Sequence, residues 1–78
     1  MVFSLFTRRG CHLCEAAEDM LAAWDLAAGV KFVDIDAHPE MQGLYGSRVP
    51  VLTADGVVVM EGRFDEVELA GRMRSLTA

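Results

Sequence analysis

Two cysteines make up the whole thiol complement of this chain, and they stand together in Cys11-His12-Leu13-Cys14. The spacing puts Cys14 one helical turn beyond Cys11, within reach of a disulfide. The segment lies where a short apolar stretch, Val2–Phe6, gives way through the loop Thr7-Arg8-Arg9-Gly10 to a helical pattern. A thiol at the start of a helix faces unsatisfied backbone N–H groups and the positive end of the helix dipole. Both favour the thiolate, the only form that attacks a disulfide. An unperturbed thiol, with pKa ~8.5, is only about 3% ionised at pH 7. Lowering that pKa to ~6 makes it about 90% ionised, for roughly 3.4 kcal/mol of preferential stabilisation. Arg8 and Arg9 add positive charge on the approach, and His12 adds a titratable neighbour. Cys11 and Cys14 are the candidate catalytic residues, with Arg8 and His12 as activating groups.

The chemistry implied is thiol–disulfide exchange. Cys11, expected to be the more exposed, attacks a substrate disulfide. Cys14, expected to be the more shielded, then displaces the reduced product from the mixed disulfide. Other uses of the pair stay open on the residues alone. A zinc site normally takes four ligands, and the only further candidates are His12 and His38. His12 is wedged between the thiols, badly placed to complete the same tetrahedron, so no metal ligand set is assigned. A structural disulfide, or two inert core thiols, is the blander alternative. Placement at a strand-to-helix junction favours redox chemistry.

The elements that must hold this segment can be read in order. Val2–Phe6 is short, apolar and aromatic-rich, as a buried strand is. From Cys11 to Ala28 the pattern is helical, with Leu13, Ala17, Met20, Leu21, Trp24 and Ala28 on one stripe. Glu15, Glu18, Ala22 and Asp25 lie opposite, and Gly29 is expected to end the helix in the left-handed conformation. Val30–Ile35 reads as a second strand, parallel to the first because a helix connects them. Pro39 opens a short helix running to about Tyr45. Val51–Ala54 and Val57–Met60 are two more strands, joined by the hairpin signal Asp55-Gly56. Asp65 caps a last helix, Glu68 completes a capping box, Phe64 staples onto Leu69, and Leu69, Met73 and Leu76 form the buried stripe. The order β-α-β-α-β-β-α, four strands with helices on both faces, is an α/β layer sandwich.

Composition agrees with one small packed domain spanning residues 1–78. The chain is 53% hydrophobic and 24% charged, which excludes disorder by composition. Twelve acidic against seven basic residues give a net charge of −5. Nucleic acid is therefore not an expected partner, since phosphate binding needs a basic surface. No apolar run approaches the roughly 18–20 residues of a membrane span, so no membrane partner is expected. Met1 leads directly into the first strand, without the basic and small-residue flanks of a signal peptide. A cytoplasmic location is expected, where a cysteine pair is more often catalytic or metal-binding than a structural staple. The acidic balance makes a monomer the default. Trp24 and the methionines read as packing residues, His38 as part of a helix start. Tyr45 could border the site or cover the sheet.

Taken together, these residues resemble the thioredoxin-like superfamily, most closely small glutaredoxin-like proteins, over nearly the whole chain. Thr7-Arg8-Arg9-Gly10-Cys11-His12-Leu13-Cys14 is similar to the glutaredoxin active-site loop, with Arg8 where that family usually has lysine. Arg48-Val49-Pro50-Val51 is similar to the segment carrying the family's cis-proline, which on pattern alone is only a strand-starting proline. Asp34-Ile35-Asp36 also matches the superfamily pattern. The resemblance implies a thioredoxin-like fold with a four-stranded mixed sheet and a cis Val49–Pro50 bond. It further implies that Val49 pairs its backbone with the thiol substrate. The chain departs from the family in placing His12 and Leu13, not proline and an aromatic, between the cysteines. It also has Glu61-Gly62-Arg63-Phe64-Asp65 where glutaredoxins carry a double glycine shaping a glutathione pocket. Arg63 and the helix start at Asp65 are the groups left to meet a carboxylate, with Glu61 bringing opposing charge.

The expected function is reduction of protein disulfides or glutathione mixed disulfides by a CxxC dithiol. No cofactor is bound, and glutathione is a candidate reductant or co-substrate. The competing readings are a silent thioredoxin-like docking domain and a module holding a soft metal on Cys11, His12 and Cys14.

Overall fold

The computed structural model describes residues 1–24 and 29–77. Along the chain run β1 (Phe3–Thr7), α1 (His12–Ala23), β2 (Val30–Asp34), a 3-10 turn (Ile35–Ala37), α2 (Pro39–Tyr45), β3 (Val51–Ala54), β4 (Val57–Glu61) and α3 (Glu66–Thr77). The strands form one mixed sheet in the order β2-β1-β3-β4. β1 is parallel to β2 and antiparallel to β3, and β3 is antiparallel to β4. This is the expected α/β, thioredoxin-like arrangement.

Two apolar clusters, one on each face of the sheet, hold the layers together. The larger joins Leu5, Val30, Leu52, Val59 and Met60 of the strands to Ala17 and Leu21 of α1 and to Leu69 and Met73 of α3. The smaller joins Phe6, Val51 and Ile35, with Met41 and Tyr45 of α2 packed against them. Successive strand residues point to opposite faces, which is why Leu5 and Phe6 serve different clusters. Tyr45 lies on Phe6, ring centroids 4.7 Å apart. It therefore covers the sheet. The hairpin closes through Asp55 (φ 51°) and Gly56 (φ 86°), both left-handed as a type I′ turn requires.

Several boundaries differ from the sequence expectation. β1 is displaced one residue, to Phe3–Thr7, and β2 ends at Asp34, so that Ile35 opens the 3-10 turn. α1 stops at Ala23 with Trp24 as its cap, not at Ala28. The rest of that expected segment, residues 25–28, lies outside the described residues. Leu13 leaves the expected core stripe and is 39% exposed, while Cys14 takes a core position at 2%. Cys14, Ala17 and Leu21 are the buried residues of α1, with Met20 and Trp24 packed partly buried against the larger cluster. The capping box is half formed. Asp65 accepts the Glu68 amide at 2.9 Å, but the Glu68 carboxylate turns to Arg72, one turn on, at 3.2 Å. A charged partner at i+4 outcompetes the backbone amide for that carboxylate.

Candidate redox site

β1 points its carboxyl end at the start of α1, and the connecting loop delivers the two cysteines there. Gly10, at φ 78°, makes the turn in the left-handed region where a side chain would be strained. Cys11 follows in extended conformation as the N-cap of α1, and His12 is the first helical residue. The two cysteines are joined as a disulfide, with Cα atoms 5.2 Å apart. The Cys14 backbone N–H also donates to the Cys11 sulfur at 3.1 Å. A helix N-cap ordinarily offers an oxygen to this amide. Here a sulfur does the same work. Cys11 is half-buried and Cys14 buried, so the leading sulfur is the accessible one.

The other nominated residues fall into two groups. Phe6 pairs with Val51 across the β1–β3 ladder, which places the preceding Val49-Pro50 at the same end of the sheet as the cysteine loop. Val49–Pro50 is a cis peptide bond. The Val49 amide donates to the Tyr45 carbonyl at 3.1 Å, and Gly62 donates to the Pro50 carbonyl at 2.8 Å. That last bond draws the segment before α3 to the same end. His12, in contrast, has a side chain 98% exposed, its Nδ1 3.7 Å from a Glu15 carboxylate oxygen. Arg63 is exposed beside Glu61, Glu68 and Arg72. Asp65 spends its carboxylate as the cap of α3.

Arg8 makes the most contacts of the nominated residues, and they go to Asp36 and Gly46. Its Nε lies 3.2 Å from Asp36 Oδ1 and 3.3 Å from Oδ2. Its Nη2 donates to Oδ1 at 2.9 Å, and its Nη1 to the Gly46 carbonyl at 3.3 Å. The hydrogen bond and charge of Arg8 hold the Asp36 carboxyl below its ordinary value of 3.8. The same hydrogen bond raises the guanidinium value further above its already high ordinary one. In the sequence Asp36 stands out only as part of a strand-end pattern. A basic residue just before a CxxC, facing an acid just after the parallel strand, is the signal that could have found it.

A cavity of about 260 Å³ opens beside Cys14, with Arg8, Arg9, Glu15, Glu18 and Asp34 as its charged lining. A larger one, about 530 Å³, lies at the opposite end of the sheet, around Met1, Val57 and Leu76. Size alone therefore does not mark the site. Among the described residues no group of three or more His, Cys, Asp and Glu could hold a metal ion. Among them, too, no helix is long and apolar enough to cross a membrane.

A paired-sulfur site at a helix start, on this sheet order, agrees with what comparison with known proteins finds. The family Glutaredoxin-like domain (DUF836) matches residues 3–74. A structural genomics target protein from X. campestris, solved by X-ray, is 32% identical with a TM-score of 0.80, over 94% of this chain and 96% of that one. A protein from Nitrosomonas europaea, solved by NMR, is 26% identical with a TM-score of 0.72, over 88% and 86%. No curated protein matches the chain. The family and the joined cysteines together fit a redox-type role. With the match spanning residues 3–74 of 78, the chain belongs to the glutaredoxin-like domain family.

Proposed function

We propose that the protein is a thiol–disulfide oxidoreductase in which Cys11 attacks and Cys14 resolves. The observation that carries this reading is the Cys14 amide aimed at the accessible Cys11 sulfur at the head of α1. In the reduced protein the Cys11 thiolate attacks one sulfur of a substrate disulfide, breaking that bond and releasing one substrate thiolate. Cys14, losing its proton to solvent, then attacks the Cys11 sulfur of the mixed disulfide and releases the second substrate thiolate. Two electrons have passed to the substrate, and the Cys11–Cys14 disulfide remains for an external thiol to reduce.

The substrate backbone would lie along Val49-Pro50. The Val49 amide is already committed to Tyr45, so the pairing group is the Val49 carbonyl. Substrates are protein disulfides or glutathione mixed disulfides, handled by a monomer in the reducing cytoplasm. A glutathione carboxylate at the start of α3 would meet Arg63, but it would compete with the Asp65 carboxylate already seated there. Arg8 and His12 are the neighbours that would activate the Cys11 thiol.

Equilibration against glutathione redox buffers, with trapping of free thiols, tests the reading. A reversible two-thiol transition supports it. Thiols that never oxidise point to a docking domain. A stoichiometric metal in protein purified without chelator points to the Cys11, His12 and Cys14 metal module. Turnover with a glutathione mixed disulfide, set against turnover with thioredoxin reductase, then names the reductant.

A further inference from the structure

A positive charge three residues before a thiol would ordinarily be expected to stabilise its thiolate directly. Arg8 is placed differently. Both edges of its guanidinium are used, three contacts going to the two Asp36 oxygens and one to the Gly46 carbonyl. Asp36 is itself held ready. Its amide donates to Asp34 Oδ1 at 2.9 Å, and the Gln42 side-chain amide reaches its carbonyl at 3.4 Å and its Oδ1 at 3.3 Å. The acid is therefore fixed by the 3-10 turn and by α2 on either side. We propose that Asp36 is a positioning residue for the dithiol, holding Arg8 in a fork and so setting how strongly the arginine stabilises the thiolate.

This rests on the reading of Cys11 as the attacking thiol and adds a control on its reactivity. The physical argument is about where one charge sits. A guanidinium held bidentately by a carboxylate presents little net field to a third group. The same guanidinium set free would carry its full charge on the loop that leads to Cys11, where charges within a Debye length of about 8–10 Å act on one another. The remaining charges lining the cavity beside Cys14 are Arg9 on the loop, Glu15 and Glu18 on α1, and Asp34 at the end of β2. His12, exposed at the head of α1, has its Nδ1 3.7 Å from a Glu15 carboxylate oxygen. Acids outnumber bases there, so release of Arg8 changes the local balance most.

The test measures Cys11 thiolate absorbance against pH in a Cys14→Ser background, with the potential of the two-cysteine protein read in parallel. Asp36→Asn should lower the Cys11 pKa by at least about half a unit, a threefold change in its ionisation constant. It should also make the dithiol more oxidising, because a stabilised thiolate favours the reduced state. Arg8→Gln should raise the pKa. In the Arg8→Gln background the Asp36→Asn shift should fall to less than half, since no arginine remains to release. An Asp36→Asn protein that is folded by circular dichroism but titrates like the parent overturns the proposal. A shift of the same size with and without Arg8 also overturns it, because Asp36 would then act only as a bare charge. If Asp36→Asn does not fold, Arg8→Lys keeps the charge without the fork. It should lower the Cys11 pKa, and an unchanged or raised value overturns the proposal. Absence of any two-thiol transition in the parent protein is a different failure, and it removes the oxidoreductase reading itself.

Discussion

The Cys14 backbone amide points at the Cys11 sulfur from 3.1 Å, so one contact both caps α1 and faces the leading sulfur. Folding and reactivity are joined there. Whatever keeps the first turn of α1 in place also keeps an N–H donor aimed at the group that must carry negative charge. A hydrogen bond to a charged group contributes about 1.5–3 kcal/mol, which corresponds to roughly one to two pKa units.

Cys11 should accordingly titrate at least one unit below the ordinary ~8.5 of a free thiol. Thiolate absorbance against pH in the Cys14→Ser protein measures it, since serine preserves the backbone donor. A value at or above the ordinary one would mean that the helix start does not activate the sulfur.

Exposure fixes the order of attack. With Cys14 only 2% exposed and Cys11 half-buried, the reduced protein should be alkylated at Cys11 first, by about tenfold or more under native conditions. Mass spectrometry of partly alkylated protein reads this directly. Cys14→Ser should trap a mixed disulfide with substrate, and Cys11→Ser should trap none. Faster alkylation of Cys14 would reverse the two roles.

The core makes a contrast within a single helix. Leu21 is fully buried among Leu5, Leu52 and Leu69, whereas Leu13 is 39% exposed. Leu21→Ala should cost about 2–5 kcal/mol in urea unfolding, through lost burial and the cavity left behind. Leu13→Ala should stay within about 0.5 kcal/mol. Equal losses at the two sites would contradict the packing of α1.

These two leucines also show how far the amino-acid pattern reaches. Spacing of apolar residues located all four strands and three helices, because strand and helix periods are local and repeat. It placed the cysteines at the head of α1 for the same reason. It misplaced Leu13, because a helical period does not tell which positions along a stripe the rest of the fold covers. It sent Glu68 to the Asp65 amide, because the competing Arg72 lies beyond the four-residue window of the motif. Asp36 escaped notice for a further reason: it meets Arg8 across 28 positions of sequence, and only the parallel pairing of β1 and β2 brings them together.

At the start of α3 the half-formed box separates two side chains that a full capping box pairs. Asp65→Ala should cost about 0.5–2 kcal/mol, the usual loss on removing a helix cap. Glu68→Ala should cost no more than about 0.5 kcal/mol, since it removes only a surface pair with Arg72. Thermal unfolding of both variants beside the parent checks this. Similar losses would restore the reciprocal box.

The Arg8–Asp36 pair should leave its mark on the acid limb of stability. Asp36 has a folded pKa below its ordinary 3.8 because Arg8 favours the ionised carboxylate. A depressed folded value stabilises the protein above the ordinary one, and that contribution fades as pH falls from 3.8 through the folded value. The raised guanidinium value of Arg8 acts only in strong alkali, outside any working range. Urea midpoints of the parent and of Arg8→Gln, measured from about pH 6 down to about pH 2, should therefore show a constant gap above about pH 5 that closes as Asp36 takes up its proton. A gap that persists unchanged at about pH 2 would show that Arg8 stabilises the fold by packing its stem and by its bond to the Gly46 carbonyl. Opening of the gap on acidification would require an Asp36 pKa raised by folding, the reverse of what a carboxylate gripped by a guanidinium can do.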